Sequence, residues 1–291
     1  MRCAAGISGR YVAGTSSSRV THSRPTVHRL LEDHDLAARR ELGQNFVADP
    51  NTVRRIASLS GVGAGDVVVE IGPGLGSLTL ALIETGADVR AIELDPGLAA
   101  VAREVVGDAA TIIEADAQTI DWDELLADVT RPAHVVANLP YNVGTTMIID
   151  ILANVPNVGA LLVLVQAEVA DRLTADVGSR TYGIPTVLVA RHASAEIVGH
   201  VPPTVFVPKP KVDSSLVRLV RHSSPPSTVA HDDLARVVKA GFGQRRKMLR
   251  RSLAGVATPE QLIEAGIDPT QRAEDVGVKQ WCSLAEIVAR R

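Results

Sequence analysis

The sequence predicts an α/β protein, a doubly wound and mostly parallel seven-stranded sheet followed by a small all-helical C-terminal unit. Three observations carry that prediction. Short β-branched runs alternate with helical stretches from Val67 to Ala175, the pattern of a parallel sheet with crossover helices. After Tyr182 the rhythm changes to extended runs with no room for a crossover helix, so antiparallel strands should close the sheet. The Ser- and Pro-rich stretch SSPPSTVAHDD (223–233) then reads as a linker into a region of purely helical spacing.

The elements follow in order. NTVRRIASLSGV from Asn51 has apolar residues at helical spacing and ends in a polar turn, Gly61 to Asp66. VVVEIG (67–72) is a short run typical of a buried parallel strand; a Gly-rich turn and the helical SLTLALIETG follow. The unit repeats with DVRAIELD and a helix from Pro96, ATIIEAD, HVVANLPY, and ALLVLVQ with a helix from Ala167 to Ala175. TVLVARHASAEIVGHVP and SSLVRLVRH supply the remaining two strands. The implied segments are an N-terminal extension at 1–37, an α/β domain at 38–222 and a helical domain at 223–291.

Composition bounds the possibilities. With 291 residues, 46% of them hydrophobic, the chain can bury a full core. Only 3% are aromatic, so Ala, Val, Leu and Ile must fill it. A net charge of -3 points to no class of partner, because a binding face is a local property. Cys3 and Cys282 lie near opposite ends and form no ligand-spaced group, so no metal site is expected and the usage fits a reducing cytoplasm. No apolar run approaches the roughly 20 residues that span a bilayer. A soluble, monomeric, cytoplasmic protein with no membrane partner is the expectation. Met1 to Leu31 is rich in Arg and Ser, as in organellar transit peptides, but Gly, Ser and Thr interrupt any amphipathic helix. A disordered tail is the simpler reading of that segment.

The turn after the first strand reads E-I-G-P-G-L-G. A dinucleotide fingerprint needs G-x-G-x-x-G, whereas Gly72, Gly74 and Gly76 form G-x-G-x-G with Ser77 where the last glycine would stand. That spacing favours a loop curving around the methionyl part of S-adenosylmethionine over one that cradles a pyrophosphate, and argues against a nicotinamide-dependent dehydrogenase. Glu93 ends the second strand, where a carboxylate can accept from both ribose hydroxyls. Asp116 ends the third, beside the place of the cofactor's adenine amino group. Three consecutive strand ends thus address one crevice.

The fourth strand ends in Asn138-Leu139-Pro140-Tyr141. An adenine amino nitrogen is a poor nucleophile because its lone pair is delocalised into the ring. The Asn138 side-chain oxygen and the Leu139 carbonyl, aimed at its two hydrogens, would draw that nitrogen toward tetrahedral geometry. Pro140 fixes the turn and biases Leu139 away from helical torsions. Tyr141 offers a flat face for stacking the target base.

These residues resemble those of the rRNA adenine N6-methyltransferases, and within them the branch that dimethylates small-subunit rRNA. The resemblance runs from Ala38 to the C-terminus. It rests on ELGQNF, VEIGPGLGSLT, IELD, EAD, NLPYNV, QAEVADRL, GSRTYG, PPTVFVPKPKVDSS and GQRRK. It implies a Rossmann-like methyltransferase sheet in which Asn45 and the Val47 backbone close over S-adenosylmethionine, joining Gly72, Gly74, Glu93, Asp116 and Asn138. It also implies that Phe206 flanks a flipped adenine opposite Tyr141; from the residues alone, core packing is an equal reading of Phe206. The implied substrate is a pair of adjacent adenines in the 3'-terminal hairpin loop of 16S rRNA, within an assembling 30S subunit. Thr146 and Pro185 depart from the pattern without removing a proposed ligand.

From Phe206 to Arg251 eleven Lys or Arg face three Asp, a local net charge of +8. This is the electrostatic footprint of phosphate binding. Read as one helix, the segment puts Val238, Phe242, Leu249 and Leu253 on an apolar stripe and Arg236, Lys239, Arg246, Lys247, Arg250 and Arg251 on the neighbouring face, with Arg245 on the other flank. A target base must be splayed out of its stack, most cheaply from a loop. Two other readings stay open: methylation of large-subunit rRNA of the macrolide-resistance type, and a mainly non-catalytic ribosome-assembly or transcription-factor role. Leu139 and GQRRK favour the small-subunit reading.

Overall fold

The computed structural model describes residues 21–39, 43–140 and 143–290. Its main sheet has seven strands: β2 (Val67–Ile71), β3 (Asp88–Glu93), β4 (Thr111–Glu114), β5 (Ala133–Asn138), β6 (Val158–Gln166), β7 (Ala193–Val201) and β9 (Ser214–Arg221). Their spatial order is β4-β3-β2-β5-β6-β9-β7. The first five pair in parallel, and β9 runs antiparallel to both β6 and β7. A separate two-stranded ladder joins β1 (Phe46–Val47) to β8 (Phe206–Val207).

Helices cover both faces, and the strands divide their side chains between them. Val69, Val135 and Val163 pack into one core with Ile148, Ile151 and Leu152 of α6 (Gly144–Asn154). Val68, Val136, Leu162 and Leu164 pack into another. There they meet Ile56 of α2 (Pro50–Ser60) and Leu82 of α3 (Ser77–Ile83). Successive strand residues point to opposite faces, and both faces are dry, hence the continuous Val-rich runs. Asp49 caps α2 by accepting from Thr52 N, and Asp95 caps α4 (Pro96–Val106) by accepting from Gly97 and Leu98 N. Short α5 (Trp122–Leu125) and α7 (Ala167–Leu173) complete the crossovers.

Three expectations need correction. Residues 21–37 are not a loose tail: α1 (Arg24–Asp33) buries Val27, Leu30 and Leu31 against Leu75, Leu98 and Val101. Their i, i+3, i+4 spacing behind Pro25 is a helix signal that the composition of the preceding residues obscures. Residues 1–20 lie outside the described residues.

The TVLVA run, expected to be extended, belongs to α8 (Ile184–Ala190). Thr186 through Val189 are buried, and a short run buried on all sides has the same appearance at either period. Gly183 and Pro185 are the signals that decide it, since Pro185 starts the helix and the Gly183 N–H donates to Thr186 Oγ1 at 3.1 Å.

The basic segment is two helices rather than one. α9 (His231–Gly243) stops at Gln244, and a turn leads into α10 (Leu249–Ser252). Gly241 and Gly243 weaken the last helical turn. Leu249 N donates to Gln271 O and Arg250 N to Pro269 O, so tertiary hydrogen bonds replace the helical ladder. With α11 (Pro259–Glu264) and α12 (Val278–Ala289) these helices share a core around Trp281, Leu249 and Leu253. That core takes in Tyr182, Val187 and Leu188, so packing does not divide at residue 223.

Candidate active site

The carboxyl ends of β2, β3, β4 and β5 open on a cavity of about 400 Å³. This is the place where the strand order reverses on either side of β2, at which open α/β sheets bind ligands. Asn45, Gly72, Gly74, Glu93, Asp116 and Asn138 all line it. Val47 does not; it lines a smaller cavity of about 40 Å³ alongside, together with Gly72 and Asn138.

The glycine loop bends through positive φ at Gly72 (+71°), Gly74 (+57°) and Gly76 (+82°). A Cβ on Gly72 would meet nothing within 4 Å, so the backbone faces open cleft. A Cβ on Gly74 would come within 2.9 Å of the Phe46 ring, and its φ already disfavours a side chain. Glu93 braces this loop: its Oε2 accepts from Gly74 N at 2.9 Å and its Oε1 from Asp95 N at 3.0 Å. Burial pushes the Glu93 carboxyl above the usual carboxylate range, opposed by those backbone donors. Each oxygen keeps a further lone pair for a ligand hydroxyl. Asp116 accepts from Gln118 N through Oδ1 at 2.9 Å.

Asn138 is oriented by its neighbour across the cleft. Its Nδ2 donates to the Asn45 carbonyl at 2.8 Å, which leaves Oδ1 as the atom able to accept from a ligand amine. Asn45 in turn donates from its own Nδ2 to Gly43 O at 3.0 Å. Leu139 buries its side chain in the sheet core and anchors its N–H on Leu164 O at 3.1 Å. Pro140 lines the cleft, and its carbonyl accepts from Val143 and Gly144 N, closing the turn. Tyr141 lies outside the described residues.

Phe206 takes the core-packing reading. It is 1% exposed, pairs with Val47 across β1 and β8, and packs in the α2-side core, which leaves its ring no open face for a base. Thr146 is exposed on α6, where it disturbs nothing. Three contributors to the cleft escaped the sequence reading. Leu94, 61% exposed, presents an apolar wall next to Glu93. Met147 of α6 also lines the cleft, as does Arg39, which bridges to Asp95 at 3.3 Å. Leu94 was findable, since a large apolar residue directly after a strand-end acid is unusual; Arg39 was not, because its partner is distant in sequence.

Behind the loop, Glu70 is 1% exposed and its Oε2 has no hydrogen-bond partner. Burial pushes its carboxyl up to about 8.

The basic segment supplies fewer free cations than its charge suggests. Arg221 donates to the carbonyls of Leu152, Val155 and Val158, closing the C-terminal end of α6. Arg218 pairs with Glu196, Arg236 with Asp233, and Arg245 with Glu274 at 2.7 Å. Lys239, Arg246, Lys247, Arg250 and Arg251 are exposed and enter no ion pair among the described residues. Val238, Leu249 and Leu253 are buried, and Phe242 stacks at a tilt on Trp281 with ring centroids 5.9 Å apart. Among the described residues no helix is long and apolar enough to cross a membrane.

Sheet order, glycine loop and strand-end acids define a Rossmann-like enzyme that binds a nucleoside-bearing cofactor at the carboxyl edge of its sheet. The chain belongs to the ribosomal RNA adenine dimethylase family, whose model matches residues 36–290. It is 46% identical over 270 residues to the ribosomal RNA small subunit methyltransferase A of Kineococcus radiotolerans, covering 89% of each chain. The protein of the same name from Phenylobacterium zucineum is 46% identical over 271 residues, covering 92% of this chain and 94% of the relative. Among solved structures, the 23S rRNA methyltransferase ErmE is 27% identical with a TM-score of 0.65, covering 84% of this chain and 99% of that one. A Plasmodium falciparum dimethyladenosine transferase shares the fold, with a TM-score of 0.69 at 21% identity, over 81% of this chain and 94% of that one.

Proposed function

We propose that this chain transfers methyl groups from S-adenosylmethionine to the exocyclic N6 of two adjacent adenosines in the 3'-terminal hairpin loop of 16S rRNA, dimethylating each. It acts as a monomer on an assembling 30S subunit in the cytoplasm. The observation that carries the chemistry is the Asn45 clamp on Asn138, which turns the Asn138 oxygen toward the cleft that Gly72, Glu93 and Asp116 share.

The residues present suit the methyl donor. The open backbone at Gly72 takes the methionyl chain where any side chain would intrude. Glu93, Leu94 and Asp116 line the same cleft, where Glu93 would accept from the ribose hydroxyls, Asp116 from the cofactor's adenine amino group, and Leu94 would cover that base. When bound, S-adenosylmethionine supplies a sulfonium-activated methyl group, so the protein needs no nucleophile of its own. Asn138 Oδ1 and the Leu139 carbonyl accept from the two N6 hydrogens of the target, localising the nitrogen lone pair for in-line attack. Pro140 holds that turn, and Tyr141 stacks the flipped base. The proton released after transfer passes to solvent. Lys239, Arg246, Lys247, Arg250 and Arg251 bind rRNA phosphates, with Arg245 held aside by Glu274.

Identity near 46% to small-subunit enzymes, against 27% to the 23S enzyme ErmE, supports the small-subunit substrate. Incubating undermethylated small subunits with labelled cofactor and mapping the modified nucleotides tests it. The expected product is dimethyladenosine at two adjacent positions near the 3' end of 16S rRNA; label in large-subunit rRNA alone, or none, overturns the assignment.

A further inference from the structure

Residues 21–33 precede the family match, which begins at residue 36, yet they pack directly on the glycine loop. Val27, Leu30 and Leu31 of α1 bury Leu75, the residue between Gly74 and Gly76. Ahead of the helix His22 is 4% exposed and touches the loop twice. Its ring Nε2 donates to the Leu75 carbonyl at 2.6 Å, and its backbone N–H donates to Ser77 Oγ at 3.3 Å. Arg24 fastens the same segment to the far wall by donating to the carbonyls of Thr204 and Phe206.

The contact matters because of where Leu75 stands. Two flanking glycines at positive φ turn the backbone sharply around Leu75, which is 2% exposed, and its carbonyl meets the imidazole in a buried contact. A buried carbonyl without a donor is costly, and the imidazole N–H satisfies it. The ring also lines the 40 Å³ cavity shared by Glu70, Gly72, Ser77 and Asn138. One side chain therefore reaches both the back of the cofactor loop and the wall that ends at Asn138.

We propose that His22 is a positioning residue for the methyl-donor site, and that residues 21–33 form a strap holding the loop 72–77 in its binding geometry. The inference rests on the cleft being the S-adenosylmethionine site. His22 makes no contact with the reacting atoms; its ring acts through the Leu75 carbonyl, while its backbone N–H holds the Ser77 hydroxyl. Losing it lets the loop sample geometries that bind the methionyl chain less well, while the chemistry at Asn138 stays intact once the site is filled.

The full-length chain tests this in two ways. By titration calorimetry with S-adenosylmethionine, His22→Ala raises Kd about tenfold, the value of one buried hydrogen bond, while kcat at saturating cofactor stays within about twofold. His22→Gln, whose amide can donate at similar reach, recovers most of the affinity. Hydrogen exchange on the wild-type chain needs no variant: cofactor slows exchange across residues 21–33 together with 72–77. Unchanged Kd in folded His22→Ala, or protection of 72–77 alone, overturns the strap. Failure of the wild-type chain to bind S-adenosylmethionine overturns the cofactor assignment and the strap with it.

Discussion

The carboxyl edge of the sheet and the basic C-terminal helices both present polar side chains, but they hold them differently. In the cleft each group is fixed by backbone: Asn138 by Asn45, Glu93 by Gly74 and Asp95, Asp116 by Gln118. On the basic surface Lys239, Arg246, Lys247, Arg250 and Arg251 are exposed and unpaired among the described residues. The contrast matches the two tasks proposed for them. Methyl transfer needs donors and acceptors set in advance, so that no reorganisation opposes the transition state. Phosphate binding needs charge that can follow an irregular backbone, and exposed cations with no ion-pair partner among the described residues supply it.

Breaking the fixed side should have the largest effect. Asn138→Ala should lower single-turnover methylation by roughly 10²- to 10³-fold, as for other preorganised polar groups, with a circular dichroism spectrum like that of wild type. If the variant also rescues every cellular phenotype of a deletion, methyl transfer is not the protein's main role. Glu93→Gln comes next. Exchanging a carboxylate that accepts two backbone N–H groups should weaken cofactor binding by about ten- to a hundredfold, measurable by calorimetry; unchanged affinity would remove Glu93 from the site.

The exposed basic side should respond in salt dependence. Arg246→Ala with Arg250→Ala should weaken RNA binding and flatten the slope of log K against log salt by about one to two units. Arg245→Ala, already neutralised by Glu274, should change that slope less. Equal effects would mean that the ion pair opens on binding.

The smallest effect is thermal and lies where the start of β7 meets the C-terminal helices. His192 stacks near His231 at the start of α9, with ring centroids 5.7 Å apart. Burial, reinforced by Arg191, lowers its pKa from 6.5 to about 4. The folded imidazole therefore stays neutral while the unfolded one takes up a proton. Its contribution is intact above pH 6.5 and is lost as pH falls toward 4. Tm should drop by a few degrees over that interval, and His192→Gln should flatten the decline.

The same contrast explains what the sequence made legible. Strand ends are local: a β-branched run followed by Gly, or by an acid before a helix, puts the residue at the carboxyl edge whatever the rest of the chain does. Gly72, Glu93, Asp116 and Asn138 could therefore be assigned to one crevice from spacing alone. The helical wheel over 236–253 assumed a continuity that Gly243 and Gln244 break. Its apolar members were still identified correctly, because Val238, Leu249 and Leu253 are buried by tertiary packing. Contacts distant in sequence stayed hidden. Nothing in residues 21–33 announces the glycine loop, nothing near Phe206 announces a closed core, and nothing in VPNV announces that Arg221 will close the end of α6.

In the proposed function, four strand ends form one methyl-donor site with the Asn138 oxygen turned toward the substrate. A crystal structure of the chain with S-adenosylhomocysteine tests it most directly. The ribose hydroxyls should sit on Glu93, the adenine amino group at Asp116 and the methionyl chain along Gly72, with Asn138 Nδ2 still on the Asn45 carbonyl. A ligand seated elsewhere, or an Asn138 amide turned so that its nitrogen faces the substrate side, would contradict it.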